Sequence, residues 1–193
     1  NVQEEPHEKI AHRLSPTNEG LYLLSALIAR DFGYLGTHGL VNIWENNFQS
    51  LQKLEKLNGH IYNWYDTETL QPLMPRYVST VDSGNLAACL LTMHAGVRDV
   101  INEPVLRVDT YRGILDTLDL LEDAYEQIGD DDSPPVRTVA QVMCRMQTDL
   151  EALLPGEPRE LNSWFQVSRL LQQFVNQLPS FPLTTNDKQA RQL

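Results

Sequence analysis

The chain has 193 residues, 41% of them hydrophobic and 21% charged, a globular balance that fits one domain or part of a larger one. Its 26 acids against 15 bases leave a net charge of −11, which argues against nucleic-acid or anionic-membrane partners, since either needs a basic patch to displace counterions. No apolar run approaches the roughly 18–20 residues of a membrane span and no signal-like start is present, so a soluble chain is expected. The polar opening "NVQEEPHEKIAHRL", beginning at Asn1, reads as the edge of a piece of a longer protein.

In chain order, residues 1–14 show no clear period and are expected to form an extended arm. "SPTNEGLYLLSALIARDFG" predicts the first helix: Ser15 caps it, Pro16 suits the first helical position, and Gly33 ends it. Leu21, Leu24, Leu27 and Ile28 recur at three and four, so that face is expected to be buried. A second helix is predicted from Thr37 to about Leu57, with Leu40, Trp44, Phe48, Leu51 and Leu54 on one face and the "NG" at 58–59 closing it. A third runs from about Ser83 to Val100, with Asp82 as candidate cap, and a fourth from Asp109 to Ile128. "GDDDSPP" at 129–135 reads as a solvated loop, a fifth helix covers about 136–154, a sixth about 159–178, and a polar tail fills 179–193. Six helices on mostly short loops predict an all-α fold of stacked antiparallel hairpins, with 15–178 as a single helical domain. Cys89 and Cys144 both lie in apolar helical text and are expected as reduced core thiols.

Between the second and third helices, "HIYNWYDTETLQPLMPRYVSTVDSGN" spans 60–85, and structureless connections of that length are often functional. "IYNWYD" alternates well enough for a short strand, with Tyr62, Trp64 and Asp66 on one side and Ile61, Asn63 and Tyr65 on the other. With a turn, such a strand makes a small β-hairpin near 60–80. Flat aromatic faces and planar polar side chains are the groups that recognise sugars, and this segment is rich in both. The alternative is structural: Trp64 and Tyr65 plug the end of a helix bundle, and Asp66 with Thr67 makes a turn. Asp82, among Ser79, Thr80 and Ser83, reads either as a capping carboxylate or as part of a cleft shared with Ser83 and Asn85. Arg76 reads as a solvated charge, a salt-bridge partner of Asp66 or Asp82, or a ligand clamp. The residues alone leave these alternatives open.

The five histidines (7, 12, 38, 60 and 94) show no metal-ligand spacing, and no phosphate loop or nucleophile elbow is present, so neither a metal nor a cofactor is expected. "DTLDLLEDAYE" reads as the acidic outer face of an amphipathic helix, and "GDDDS" lacks the glycine and glutamate of a calcium loop.

Two motif blocks and the spacing between them carry a resemblance: "IAHRLSPTNEGLYLLSALIARDFGYLGT" with the "QEEP" before it, and "GHIYNWYDTETLQPLMPRYVSTVDSGNLA". Over about residues 3–98 they resemble the central region of the bacterial cyclic β-1,2-glucan synthases, large inner-membrane enzymes. In that family a glycosyltransferase module extends the glucan from UDP-glucose, a central glycoamylase-like module closes the ring by transglycosylation, and a phosphorylase-like module follows. This chain departs from the family pattern at Leu14, Glu19 and Ile61, and of these Glu19 adds a charge early in the first helix.

The resemblance implies an (α/α)₆ toroid in which helix hairpins ring a substrate cleft and the connections at one end supply binding residues. Tyr62, Trp64, Asp66, Arg76, Asp82, Ser83 and Asn85 would then bind glucan, with Asp66 and Asp82 orienting sugar hydroxyls. Six helices are half of the twelve in such a toroid, so the chain corresponds to the N-terminal part of the module and is expected to be inert alone. A retaining glycoside reaction needs two carboxyls roughly 5–5.5 Å apart, and no pair here is assigned that role. Implied partners are a β-1,2-glucan chain, the remaining modules of the synthase and a second copy through exposed helix faces. The implied location is the cytoplasmic face of the inner membrane, as part of a larger membrane protein. The rival reading is a non-enzymatic helical interaction or linker module with the aromatic segment as a plug.

Overall fold

The computed structural model describes residues 2–3, 9–127, 134–152 and 160–177. Among these residues the chain is all-α, as expected, with short strand pairs at one end. In order the elements are β1 (Val2–Gln3), β2 (Lys9–Ile10), β3 (Arg13–Leu14), α1 (Pro16–Asp31), α2 (Thr37–Lys53), β4 (Lys56–Leu57), β5 (His60–Ile61), β6 (Tyr65–Asp66), α3 (Thr80–Asn102), α4 (Val108–Gln127), α5 (Pro134–Glu151) and α6 (Leu161–Gln177). The strands pair antiparallel as β1–β2, β3–β6 and β4–β5. Residues 129–133 of the expected acidic loop and the tail at 179–193 lie outside the described residues.

The described residues divide into two compact units, one holding those up to Arg30 with Leu35–Pro104, the other Asp31–Tyr34 with those from Val105 onward. In the second unit α4 packs on α5 and α5 on α6. Its core is Tyr111, Leu118, Met146, Leu150 and Val167, with the Tyr111 hydroxyl donating to Leu150 O. Asp116, Asp119, Glu122 and Asp123 are exposed, so α4 does present an acidic outer face. Gly33 ends α1 at φ +85°, and a Cβ there would collide with the backbone of Asp109.

In the first unit, Leu23, Ala26 and Leu27 of α1 pack with Leu40 and Trp44 of α2 and Met93 of α3. The α2 stripe expected from the sequence is the one that packs, but the α1 stripe is rotated. Leu21 and Ile28 are each about half exposed, at 53% and 51%, while Glu19, Leu23, Ala26, Leu27 and Arg30 are buried. Leu27 and the half-buried Leu24 do join this core as expected, and the other two members of the stripe face outward because neighbouring helices choose the face. Trp44 Nε1 donates to Leu23 O at 3.2 Å, and Gly20 and Gly96 are small enough to admit Cys89 and Leu27 against the helix backbones. Arg30, 2% exposed, reaches Glu103 at 2.7 Å and so ties α1 to the end of α3.

Three other expectations are corrected. Helix α2 stops at Lys53, not near Leu57, and "NG" closes no helix. Asn58 at φ 51° and Gly59 at φ 85° instead turn the β4–β5 hairpin, the left-handed pair that a two-residue hairpin requires. Helix α3 starts at Thr80 with Ser79 as its cap, which leaves Asp82 in the first turn. Both cysteines are free, but only Cys89 is half-buried; Cys144 is exposed, since Met143 and Met146 take the buried side of α5.

Candidate functional site

Two helix N-termini meet at Asp82. At α1, Ser15 and Asn18 cap each other: Asn18 N donates to Ser15 Oγ at 3.3 Å and Ser15 Oγ to Asn18 Oδ1 at 2.9 Å. This leaves Thr17 in the first turn. At α3, Asp82 N donates to Ser79 Oγ at 3.1 Å and Ser79 Oγ donates back to Asp82 Oδ2 at 2.7 Å, a reciprocal capping pair. Thr17 Oγ1 then bridges the two helices, donating to Asp82 Oδ1 at 2.7 Å while accepting from Asn85 Nδ2 at 3.1 Å.

Asn63 joins the aromatic segment to this pair. Its amide is oriented with the oxygen accepting from Trp64 Nε1 and Tyr77 OH, each at 2.7 Å, and the nitrogen donating to Asp82 Oδ2 at 2.9 Å. The opposite orientation would set two N–H donors against each other at the indole and is rejected on that ground. The Asn63 backbone N–H also donates to Tyr77 O at 2.9 Å. Asp82 thus accepts from three side chains and sits at the positive end of α3. The Ser79 bond first, then the Thr17 bond, holds its carboxyl below the usual aspartate range.

Neighbouring residues of the same segment turn the other way. Tyr62 and Tyr65 are buried with Leu54 in a cluster that Leu51, Ile61, Leu70 and Val78 extend. The Tyr65 hydroxyl accepts from Tyr62 N at 2.8 Å and donates to Glu55 O at 2.6 Å, so the buried phenol is satisfied. The alternation expected for 61–66 fails because only 60–61 and 65–66 are strand, and the irregular 62–64 lets Tyr62 and Tyr65 share a side.

The structure therefore brings together some of the expected residues and not others. Asp82 and Asn85 share the Thr17 network, and Ser83 lies in the same first turn with its N–H bonded to Ser79 O at 3.0 Å. Trp64 is half-buried, its indole N–H on Asn63 and the Arg13 guanidinium 5.3 Å above its ring. Tyr62 is in the apolar cluster. Asp66 Oδ1 accepts from Glu68 N, Thr69 N and Thr69 Oγ1 at 2.8–3.0 Å, a turn held by the carboxylate, and its pKa is lowered chiefly by the Thr69 backbone bond. Arg76 pairs with neither aspartate; it meets Glu55 at 2.9 Å on the surface. Thr17, Asn63, Ser79 and Tyr77 complete the network without having been singled out, although all four lie inside the motif blocks.

Behind β6, a cavity of about 420 Å³ opens between β3, α1 and α2, lined among others by Arg13, Glu19, Tyr22, Asn47, Leu51 and Asp66. Among the described residues no cluster of three or more His, Cys, Asp or Glu could hold a metal ion, and no helix is long and apolar enough to cross a membrane.

The first unit thus gathers polar and aromatic side chains at the N-terminal ends of two helices, joined by one long connection. No protein-family model matches the chain. It is 38% identical over 167 residues, 84% of its length, to the cyclic beta-(1,2)-glucan synthase NdvB of Rhizobium meliloti (strain 1021). The chain is thus homologous to a segment of a cyclic β-glucan synthase, and it spans 6% of the length of that relative.

Proposed function

We propose that this chain forms one wall of a β-1,2-glucan cleft in a transglycosylating, glycoamylase-like module of a cyclic β-glucan synthase, and that it is inactive alone. One observation carries the reading. The Thr17–Asp82–Asn63 network ties the connection to the ends of α1 and α3, within the sequence blocks that carry the resemblance to the synthases. In it Asp82 acts as an orienting group whose oxygens are already engaged, and the Trp64 face, the Tyr77 hydroxyl and the exposed Asn85 amide are the groups that meet sugar. Asp66 holds its own turn and Asp82 a helix cap, which supports turn-forming and orienting roles for them. The remaining modules of a parent synthase supply the catalytic carboxylates, and the parent holds the unit at the cytoplasmic face of the inner membrane.

The test is a titration with linear β-1,2-gluco-oligosaccharides followed by tryptophan fluorescence, with β-1,4-oligosaccharides as control. A saturable, linkage-selective response that disappears in folded Trp64→Ala is the expected result. Cyclisation by a full-length synthase that survives Trp64→Ala and Asp82→Asn together would overturn the site.

A second reading has its own observation. Tyr62 and Tyr65 are core residues and the Trp64 N–H is engaged, as in an interaction or linker module whose aromatic segment is a plug. It predicts that Trp64→Ala lowers stability while glucan binding by the folded protein is unchanged.

A further inference from the structure

We propose that the Asp82 carboxylate imposes one direction of hydrogen-bond donation on the network around it, so that the Tyr77 hydroxyl meets a ligand only as an acceptor and selects a ligand hydroxyl that donates. The inference rests on the glucan reading above and adds to it a specificity-determining residue, Tyr77, and the polarity of its contact.

The direction is fixed by groups that have no choice of role. An indole N–H only donates, so the amide atom of Asn63 that lies 2.7 Å from Trp64 Nε1 is its oxygen. A carboxylate only accepts, so the amide atom 2.9 Å from Asp82 Oδ2 is the nitrogen. Both neighbours demand the same orientation of the Asn63 amide. Its oxygen also lies 2.7 Å from the Tyr77 hydroxyl, and an amide oxygen cannot donate, so the single proton of Tyr77 is committed to it. What the phenol has left for a ligand is lone pairs, and Tyr77 is 44% exposed. The bond from Asn63 N to Tyr77 O, at 2.9 Å, holds the two residues together through their backbones as well.

The other arm obeys the same rule. The Asp82 backbone N–H donates to Ser79 Oγ at 3.1 Å, so the Ser79 proton goes to Asp82 Oδ2, at 2.7 Å. Thr17 Oγ1 gives its one proton to Asp82 Oδ1 at 2.7 Å. The Asn85 nitrogen is therefore the donor of the 3.1 Å contact to Thr17, and the Asn85 oxygen is turned away from it. These donors hold the carboxyl ionised, the Ser79 bond first and the Thr17 bond next lowering its pKa. Every side-chain proton bonded in the network thus points toward Asp82. A sugar hydroxyl that donates to Tyr77 extends the chain in the same direction, whereas one that must accept finds the Tyr77 proton already engaged.

Two measurements on the whole chain test this. The first seeks NMR couplings through the hydrogen bonds from Trp64 Nε1 to Asn63 Cγ and from Asn63 Nδ2 to Asp82 Cγ. Both are expected, since each exists only when the oxygen on that carbon accepts from that nitrogen. A resolved Trp64 or Asn63 signal without its coupling overturns the direction. In the second, linear β-1,2-gluco-oligosaccharides with hydrogen or fluorine in place of one hydroxyl at a time are titrated against wild type and Tyr77→Phe. Fluorine accepts but has no proton to donate. At the hydroxyl that meets Tyr77, both replacements should weaken binding by a similar factor, about threefold to tenfold, and the loss should vanish in Tyr77→Phe. A fluorinated sugar that binds like the parent, where the hydrogen analogue is weak, means that Tyr77 donates; it overturns this inference while the glucan reading stands. If no replacement depends on Tyr77, the residue sets no specificity and the inference fails. No binding of the unmodified sugar overturns glucan as the ligand, and with it the selection of its hydroxyl by Tyr77.

Discussion

Tyr62 and Tyr65 turn into an apolar cluster with Leu54, while Asn63 and Trp64, beside them in the chain, turn toward Asp82 and the capped ends of α1 and α3. The apolar side is held by burial and its one polar group is answered from within, by Glu55 O. The polar side is held by a chain of hydrogen bonds that crosses from the connection to two helices and leaves Tyr77 and Asn85 exposed at its edge. The first arrangement fixes where the segment lies, and the second fixes how its polar groups point. Stability is therefore assigned to one side of this short segment and, in the function proposed above, ligand orientation to the other, and substitutions can separate them.

The largest effect is expected on the apolar side. Tyr65 is 1% exposed, and Tyr65→Ala should lower the unfolding free energy by about 3–5 kcal/mol in urea titration. A loss below about 1 kcal/mol would mean that the cluster does not anchor the segment. Asn63→Ala comes next, at about 2 kcal/mol, because it strips partners from the Trp64 indole, the Tyr77 hydroxyl and Asp82 Oδ2 together. If instead Asn63→Ala cost nothing, the polar side would be solvated surface and the contrast between the two sides would collapse.

The acid limb of the stability profile sharpens the same comparison. Asp66 and Asp82 have folded pKa values below their unfolded ones, so their contributions are present above about pH 4 and lost as pH falls through the folded values. Asp82→Asn should make this loss shallower in melts run from about pH 5 down to about pH 2, with no change in slope near neutrality. The smallest effect is at Arg76. Its pair with Glu55 is nearly half exposed on both sides, at 44% and 45%, so Arg76→Ala should shift stability by no more than about 0.5 kcal/mol.

Much of this was legible in the sequence because it depends on near neighbours. Helix positions follow from apolar spacing and caps, and Ser15, Pro16 and Gly33 mark α1 correctly. The α2 stripe through Leu40 and Trp44 was readable because that helix is polar elsewhere, whereas α1 is apolar around much of its circumference and its spacing alone fits more than one phase. "NG" resembles a helix end in the sequence because the strands it joins, Lys56–Leu57 and His60–Ile61, are too short to show alternation. The motif blocks marked the region of the candidate site, but Thr17 gained its place only through a contact across 65 positions in the chain, and Asn63 through its bond to Asp82 on the next helix.

By itself, then, the sequence determined an all-α chain, the approximate extent of its helices, its acidic surface and its kinship with a segment of a cyclic β-glucan synthase. Each of these rests on local hydrogen bonding, composition or inherited motif. Tertiary structure alone decided which face of α1 is buried, that Ser79 rather than Asp82 caps α3, and that Arg76 meets Glu55. These depend on which side chains the packed helices bring together, and a linear pattern of residue types does not contain that.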